Sequence, residues 1–210
     1  MVIDNAMESR AGSLTLIGGE LALDFANTSS GRGWPTRQEH LRSAGDVVDW
    51  AGHALVLPPR DAAWMRETMP GEAGMSGRLF AAALELREDV FVIGSEIAAG
   101  RTAPVDRIRN LTRIHAHCLS CANLTPFERR FVWSWSARQA PIEAILGPIS
   151  LSAMTTLLQA DLTRIKQCQG EKCGWLFVDA TKNKSRRWCE MEVCGNRAKQ
   201  RRFGAKARGG

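Results

Sequence analysis

Cysteine placement constrains this chain more than any other feature. Four of its six cysteines stand near the carboxyl end in the spacing Cys168-x4-Cys173-x15-Cys189-x4-Cys194, two short knuckles separated by a hairpin-length insert. Each knuckle can turn two thiolates toward one ion about 2.3 Å away, and the insert lets the pairs converge, which is the pattern of tetrahedral zinc. All four positions are thiolates and none is left for water, so the implied Zn2+ is structural rather than hydrolytic. A segment of ~40 residues cannot bury enough apolar surface to fold alone, so the ion supplies much of its folding free energy. The opening "MVIDNAMESRAGSLTLIGGE" lacks the apolar run and cleavage site of a secretory signal, which places the chain in a reducing cytoplasm, where clustered cysteines serve metal more often than cross-links.

Within the insert, "WLFV" (175–178) reads as a strand, "DATKNK" as a turn and "SRRWC" as the returning strand. The following "GNRAKQRRFGAKAR" lacks β-branched residues and predicts a helix starting at or near Cys194. Knuckle, hairpin and helix in that order make a treble-clef-like zinc finger with four cysteine ligands over residues 167–210.

Charge is concentrated on the same segment. From 168 to 210 there are eleven Lys and Arg against four acids, a balance of +7, so residues 1–167 sum to about −1 of the chain's +6. Lys182, Lys184, Arg186 and Arg187 fall in the predicted turn and second strand, with Asn183 among them; Asn196, Arg197, Lys199, Arg201 and Arg202 fall in the predicted helix and tail. Such a set neutralises phosphates and releases counterions, and its Arg and Asn side chains suit base edges. A merely solvated cationic tail needs no zinc, whereas groove recognition needs charges in fixed geometry. Trp175, Phe177 and Trp188 are read as the finger's small core.

The rest of the chain predicts a mostly helical domain over residues 1–166 with a small β-sheet, a mainly α (α+β) fold. Helical periodicity covers 41–69, interrupted by Pro58-Pro59 and capped by Asp46 or Asp61, then 75–99, 105–119 and 148–166. "LTLIGGELALDFANT" (14–28) suggests two strands about Gly18-Gly19, and alternation in "RRFVWSWSA" predicts a strand turning Phe131, Trp133 and Trp135 to the core. No apolar run approaches the ~20 residues of a membrane span. Asp24, Asn27 and Thr28 end the second predicted strand, where they serve either a small ligand or local backbone groups. "HAHCLSC" (115–121) holds a C-x-x-C beside two histidines, but four ligands do not easily converge from one helix, so it is read as packing or surface. No Ser-His-Asp order, phosphate-binding glycine loop or H-E-x-x-H occurs, and no catalysis is expected.

The run "CGWLFVDATKNKSRRWCEMEVCGNRAK" is closely similar to the CGNR zinc finger of bacterial proteins, whose motif stands here at Cys194, Gly195, Asn196 and Arg197. "GGELALDFANT" (18–28) resembles the opening of the ABATE domain that precedes that finger in stress-induced transcription regulators. The resemblance implies a zinc-bound, DNA-binding module behind a helical domain. The leading expectation is therefore a cytoplasmic regulator whose helical domain senses a small-molecule effector or self-associates, as a homodimer, because one finger covers little DNA. The alternatives are an RNA- or protein-interaction module without duplex specificity, and an enzyme in the helical domain tethered by its tail.

Overall fold

The computed structural model describes residues 10–32, 37–72 and 74–201; Arg202 and the basic residues after it lie outside them. Its axis is α4 (Met75–Ala98), whose 24 residues span roughly 36 Å. Leu79, Ala83, Leu86, Val90 and Ile93 recur along it at spacings of three and four and are buried. Against that stripe pack α1 (Leu21–Ala26), α2 (Ala44–His53), α5 (Val105–Ser120) and α6 (Pro141–Gln159), while α3 (Pro59–Thr68) packs on α2. Phe25 of α1 and Trp50 of α2 meet with ring centroids 4.9 Å apart in the centre of the core.

Capping of α2 differs from the sequence reading. Ser43 is the cap, its hydroxyl accepting the Asp46 N–H, and Asp46 reaches back to accept the Arg42 N–H at 2.8 Å. The α2–α3 break falls at Pro58-Pro59 as expected, with Asp61 in the first turn of α3.

Three other expectations are corrected. Residues 21–26 form a helix, not a strand: Ala22, Leu23, Phe25 and Ala26 are all buried, and a helix satisfies its own backbone where a strand so enclosed would need ladder partners. Helix α6 begins at Pro141 and runs through Pro148. An interior proline costs about 3 kcal/mol, and burial of Ile145, Leu146, Ile149 and Ala153 offsets it. This helix is long and apolar enough to cross a membrane, but it packs against α1, α4 and α5 as a core helix. After Gln159 the chain makes a short turn and a strand rather than continuing helical to 166.

The third concerns the Trp-rich strand. β3 (Asn123–Phe127) and β4 (Arg130–Ser134) form an antiparallel hairpin in which Leu124 faces Trp133 and Pro126 faces Phe131. Cross-strand partners share a face, so these four apolar side chains lie together, yet Phe131 is 64% and Trp133 41% exposed. No further layer covers them among the described residues. Trp135, just past the strand, does turn inward and donates its indole N–H to the Cys118 carbonyl at 2.7 Å.

Two other pairs are short. β1 (Ser29–Ser30) pairs with β2 (Gln38–Glu39), and β5 (Ile165–Gln167) with β6 (Leu176–Val178), both antiparallel. The second pair carries the first metal knuckle.

Candidate metal centre

β5 delivers the chain to Cys168 and β6 takes it away after Cys173, so the first cysteine pair sits on the turn joining two paired strands. Cys168 N–H donates to the Trp175 carbonyl at 2.8 Å and Cys173 N–H to the Gly170 carbonyl at 3.0 Å. Gly170 is required by close approach: a Cβ there would lie 3.0 Å from Cys194 Sγ and 3.3 Å from Cys168 Sγ. The second pair comes from the other side. Cys189 ends the long loop, and Cys194 lies in a π-helical turn (Met191–Gly195) that continues as α7 over 196–201.

All four Sγ atoms lie within 4.8 Å of one another, with Cys173–Cys189 at 3.5 Å and Cys189–Cys194 at 3.7 Å. A tetrahedron with vertices ~2.3 Å from its centre has edges of about 3.8 Å, so the separations fit one zinc ion. None of the cysteines forms a disulfide, and Cys168, Cys189 and Cys194 are buried. Left to themselves the four thiols cannot all ionise: hydrogen bonds from its neighbours push the Cys168 thiol down, while donation toward Cys168 pushes Cys173 and Cys189 up. Four thiolates cannot share so small a space unless a cation balances them, and a divalent ion holds all four deprotonated. The finger therefore takes one structural zinc.

The expected hairpin inside the insert is not formed. β6 pairs with β5 instead, and "SRRWC" makes no strand. The loop is organised by Asp179, fully buried, whose carboxylate accepts the N–H and hydroxyl of Thr181 at 2.9 and 2.6 Å and the N–H of Arg186 at 2.8 Å. Burial opposes its ionisation, but these donors outweigh it and hold the carboxyl below its usual range.

The basic residues divide into two groups. Arg186 is internal: its guanidinium stacks 4.4 Å from the Phe177 ring centroid and donates to the Trp188 and Cys189 carbonyls. Lys184 bonds Asp161 and Thr163, Arg187 donates to Gln169, and Arg201 pairs with Glu171. Lys182, Asn183, Asn196, Arg197 and Lys199 are exposed, and Lys182, Arg197 and Lys199 pair with no acid among the described residues. Arg197 also lines a groove of about 370 Å³ with Arg10, Lys172 and Trp175. The sequence reading counts Lys172 in the basic segment but does not single it out, and it misses Arg10 because that residue stands far from the finger along the chain.

Asp24, Asn27 and Thr28 are not brought to a shared ligand cavity; each bonds the chain's own backbone. Asp24 accepts the Gly18 N–H at 2.7 Å, and burial raises its carboxyl above the ordinary value. Thr28 Oγ1 donates to the Phe25 carbonyl. Asn27 is the informative one: its Nδ2 donates to the Leu176 carbonyl and its Oδ1 accepts the Leu176 N–H, both at 2.8 Å and buried. It clamps β6 as a neighbouring strand would. Gly18 O accepts the Val178 N–H, Gly31 N–H donates to the Cys173 carbonyl, and Ser30 Oγ accepts the Trp175 indole N–H. The segment 18–31 is thus the seat on which the finger is mounted. Between α1, α4, α5 and α6 an apolar cavity lined by Leu23, Val90 and Leu111 holds only about 20 Å³, room for one water-sized body.

Residues 19–160 match the ABATE family, described as "Putative stress-induced transcription regulator", and residues 164–207 match the CGNR zinc finger. No curated protein matches the chain.

Proposed function

The chain belongs to the ABATE family and carries a CGNR zinc finger, and from that premise we propose that it is a cytoplasmic transcription regulator that binds duplex DNA through the finger and self-associates through its helical domain. The observation that carries the reading is α7, a helix anchored at its start by the ligand Cys194 and presenting Asn196, Arg197, Lys199 and Gln200 to solvent. A metal-fixed helix with amides and cations on its free face suits a major groove, Arg197 and Lys199 meeting phosphates and Asn196 meeting base edges. No catalytic step belongs to this reading.

Its test is a titration on duplex DNA at several salt concentrations. Each lost phosphate contact lowers the slope of log K against log salt by about 0.9, so replacing both Arg197 and Lys199 with Gln is expected to lower it by about 1.8 and to weaken binding to all sequences alike. An unchanged slope removes α7 from the interface. Binding to single-stranded RNA without preference for duplex DNA supports the interaction-module alternative instead.

One finger buries too little surface for a specific complex, which takes roughly 1,000–2,500 Å², so two copies are required. For the helical domain, the β3–β4 hairpin supports self-association. A lone two-stranded hairpin is marginal in water, and its face of Leu124, Pro126, Phe131 and Trp133 is covered once a second copy lays the same face against it. Phe131→Asp combined with Trp133→Asp should turn the dimer into a monomer in sedimentation analysis at unchanged zinc content. A dimer that persists in this variant overturns the assignment.

A further inference from the structure

The C-x-x-C and paired histidines of "HAHCLSC" have no part in the zinc finger, and helix α5 alone cannot surround an ion with them. Tertiary structure adds what the helix lacks. His117 and Cys121 stand four residues apart, at the carboxyl end of α5, and so share one face. Glu143, in the first turn of α6, comes up against that face, its Oε1 3.0 Å from His117 Nε2. The ligand atoms of all three lie within 4.8 Å of one another. Cys118 is not part of the group: it is buried toward the core, and burial pushes its thiol up to about 11.

We propose that His117, Cys121 and Glu143 form a second, exchangeable Zn2+ site, separate from the structural one. One imidazole nitrogen, one thiolate and one carboxylate are the donor types zinc accepts, and two such N/O donors ~2.1 Å from a tetrahedral centre stand about 3.4 Å apart, close to the His117–Glu143 separation. On binding, the Cys121 thiol gives its proton to solvent and its sulfur bonds the ion. Only three protein ligands are present and His117 is exposed, so the fourth position falls to water or an incoming ligand. Three mixed donors at the surface hold zinc more weakly than four enclosed thiolates, and so this site fills and empties with free zinc while the finger stays loaded. Cys121 also lies two residues before β3. Ligation therefore pins the carboxyl end of α5 to the amino end of α6 at the root of the exposed hairpin.

The experiment is equilibrium dialysis of the full chain, zinc finger loaded, against buffered free zinc, with metal counted per chain. The wild type is expected to bind two equivalents, the second released by a moderate chelator. His117→Ala and Cys121→Ser each lower the count to one, and Glu143→Gln weakens the second equivalent at least roughly tenfold, the lower end of what even an outer partner is worth. In all three the retained first equivalent shows that the finger is intact, and an unchanged helical circular dichroism shows the same of α5 and α6. Cobalt in the second site gives a thiolate-to-cobalt charge-transfer band that Cys121→Ser abolishes. One equivalent in the wild type at saturating zinc, or a second that survives in Cys121→Ser, overturns the site.

Discussion

Replacing Cys194 with Ser, or stripping the structural zinc with a strong chelator, will leave the helical body folded and release the chain after β6. Apparent free energies of structural zinc sites are about 10–16 kcal/mol, as large as the whole stability of an ordinary domain. Little else holds residues 182–201 together: the apolar cluster there is Phe177 and the cysteines, with Ile17, Trp175 and Trp188 against it. Leu176 is part of the main core, and Val178 and Trp175 pack against it as well, so β6 stays. The stripped chain should therefore gain protease cleavage between residues 180 and 200, lose only a small part of its helical circular dichroism, and lose duplex DNA binding by at least roughly 100-fold, because α7 loses its anchor and the cations their fixed geometry. Resistance to the protease after complete zinc removal would show that packing, not the ion, folds the finger.

Asn27→Ala carries the second large effect. The amide satisfies both backbone groups of Leu176, and both are buried. Truncation leaves a donor and an acceptor without partners, at about 1–3 kcal/mol each, so a loss of about 4 kcal/mol is expected. For a chain of this length that corresponds to a melting point lower by roughly 8–16 °C. Zinc stoichiometry should stay the same, since no ligand is touched, and this separates loss of the seat from loss of the metal. Asn27→Asp keeps the acceptor but sets a carboxylate oxygen against the Leu176 carbonyl, and it should be destabilised as well. A drop under about 1 kcal/mol in either variant, close to the range of an ordinary surface change, would mean that the clamp contributes little.

The two predictions differ in how far the sequence alone leads to them. Cys168, Cys173, Cys189 and Cys194 can be named as one zinc site because thiolate spacing within a short segment already limits where the sulfurs can go. The long helices are equally legible: α4 and α5 follow uninterrupted apolar periodicity, and the α2–α3 break follows two prolines. Asn27 is visible in the sequence only as a polar residue at the end of a motif. Its partner lies 149 residues away, and nothing local says which backbone group an amide will meet.

The same limit explains the misreadings. Residues 21–26 alternate well enough for a strand, but enclosure on every side favours the element that satisfies its own backbone. Phe131 and Trp133 are spaced for a core-facing strand, yet that hairpin stands clear of the body. Arg186 reads as one cation in a basic run and is a structural brace over Phe177. Sequence alone determined the metal, its four ligands, the excess of charge beside them and the main helices, since each depends on residues near one another along the chain. Which cations stay free, how the finger is seated and which side chains of separate helices meet were decided only by tertiary structure, because those outcomes depend on which distant backbone and side-chain groups are brought together.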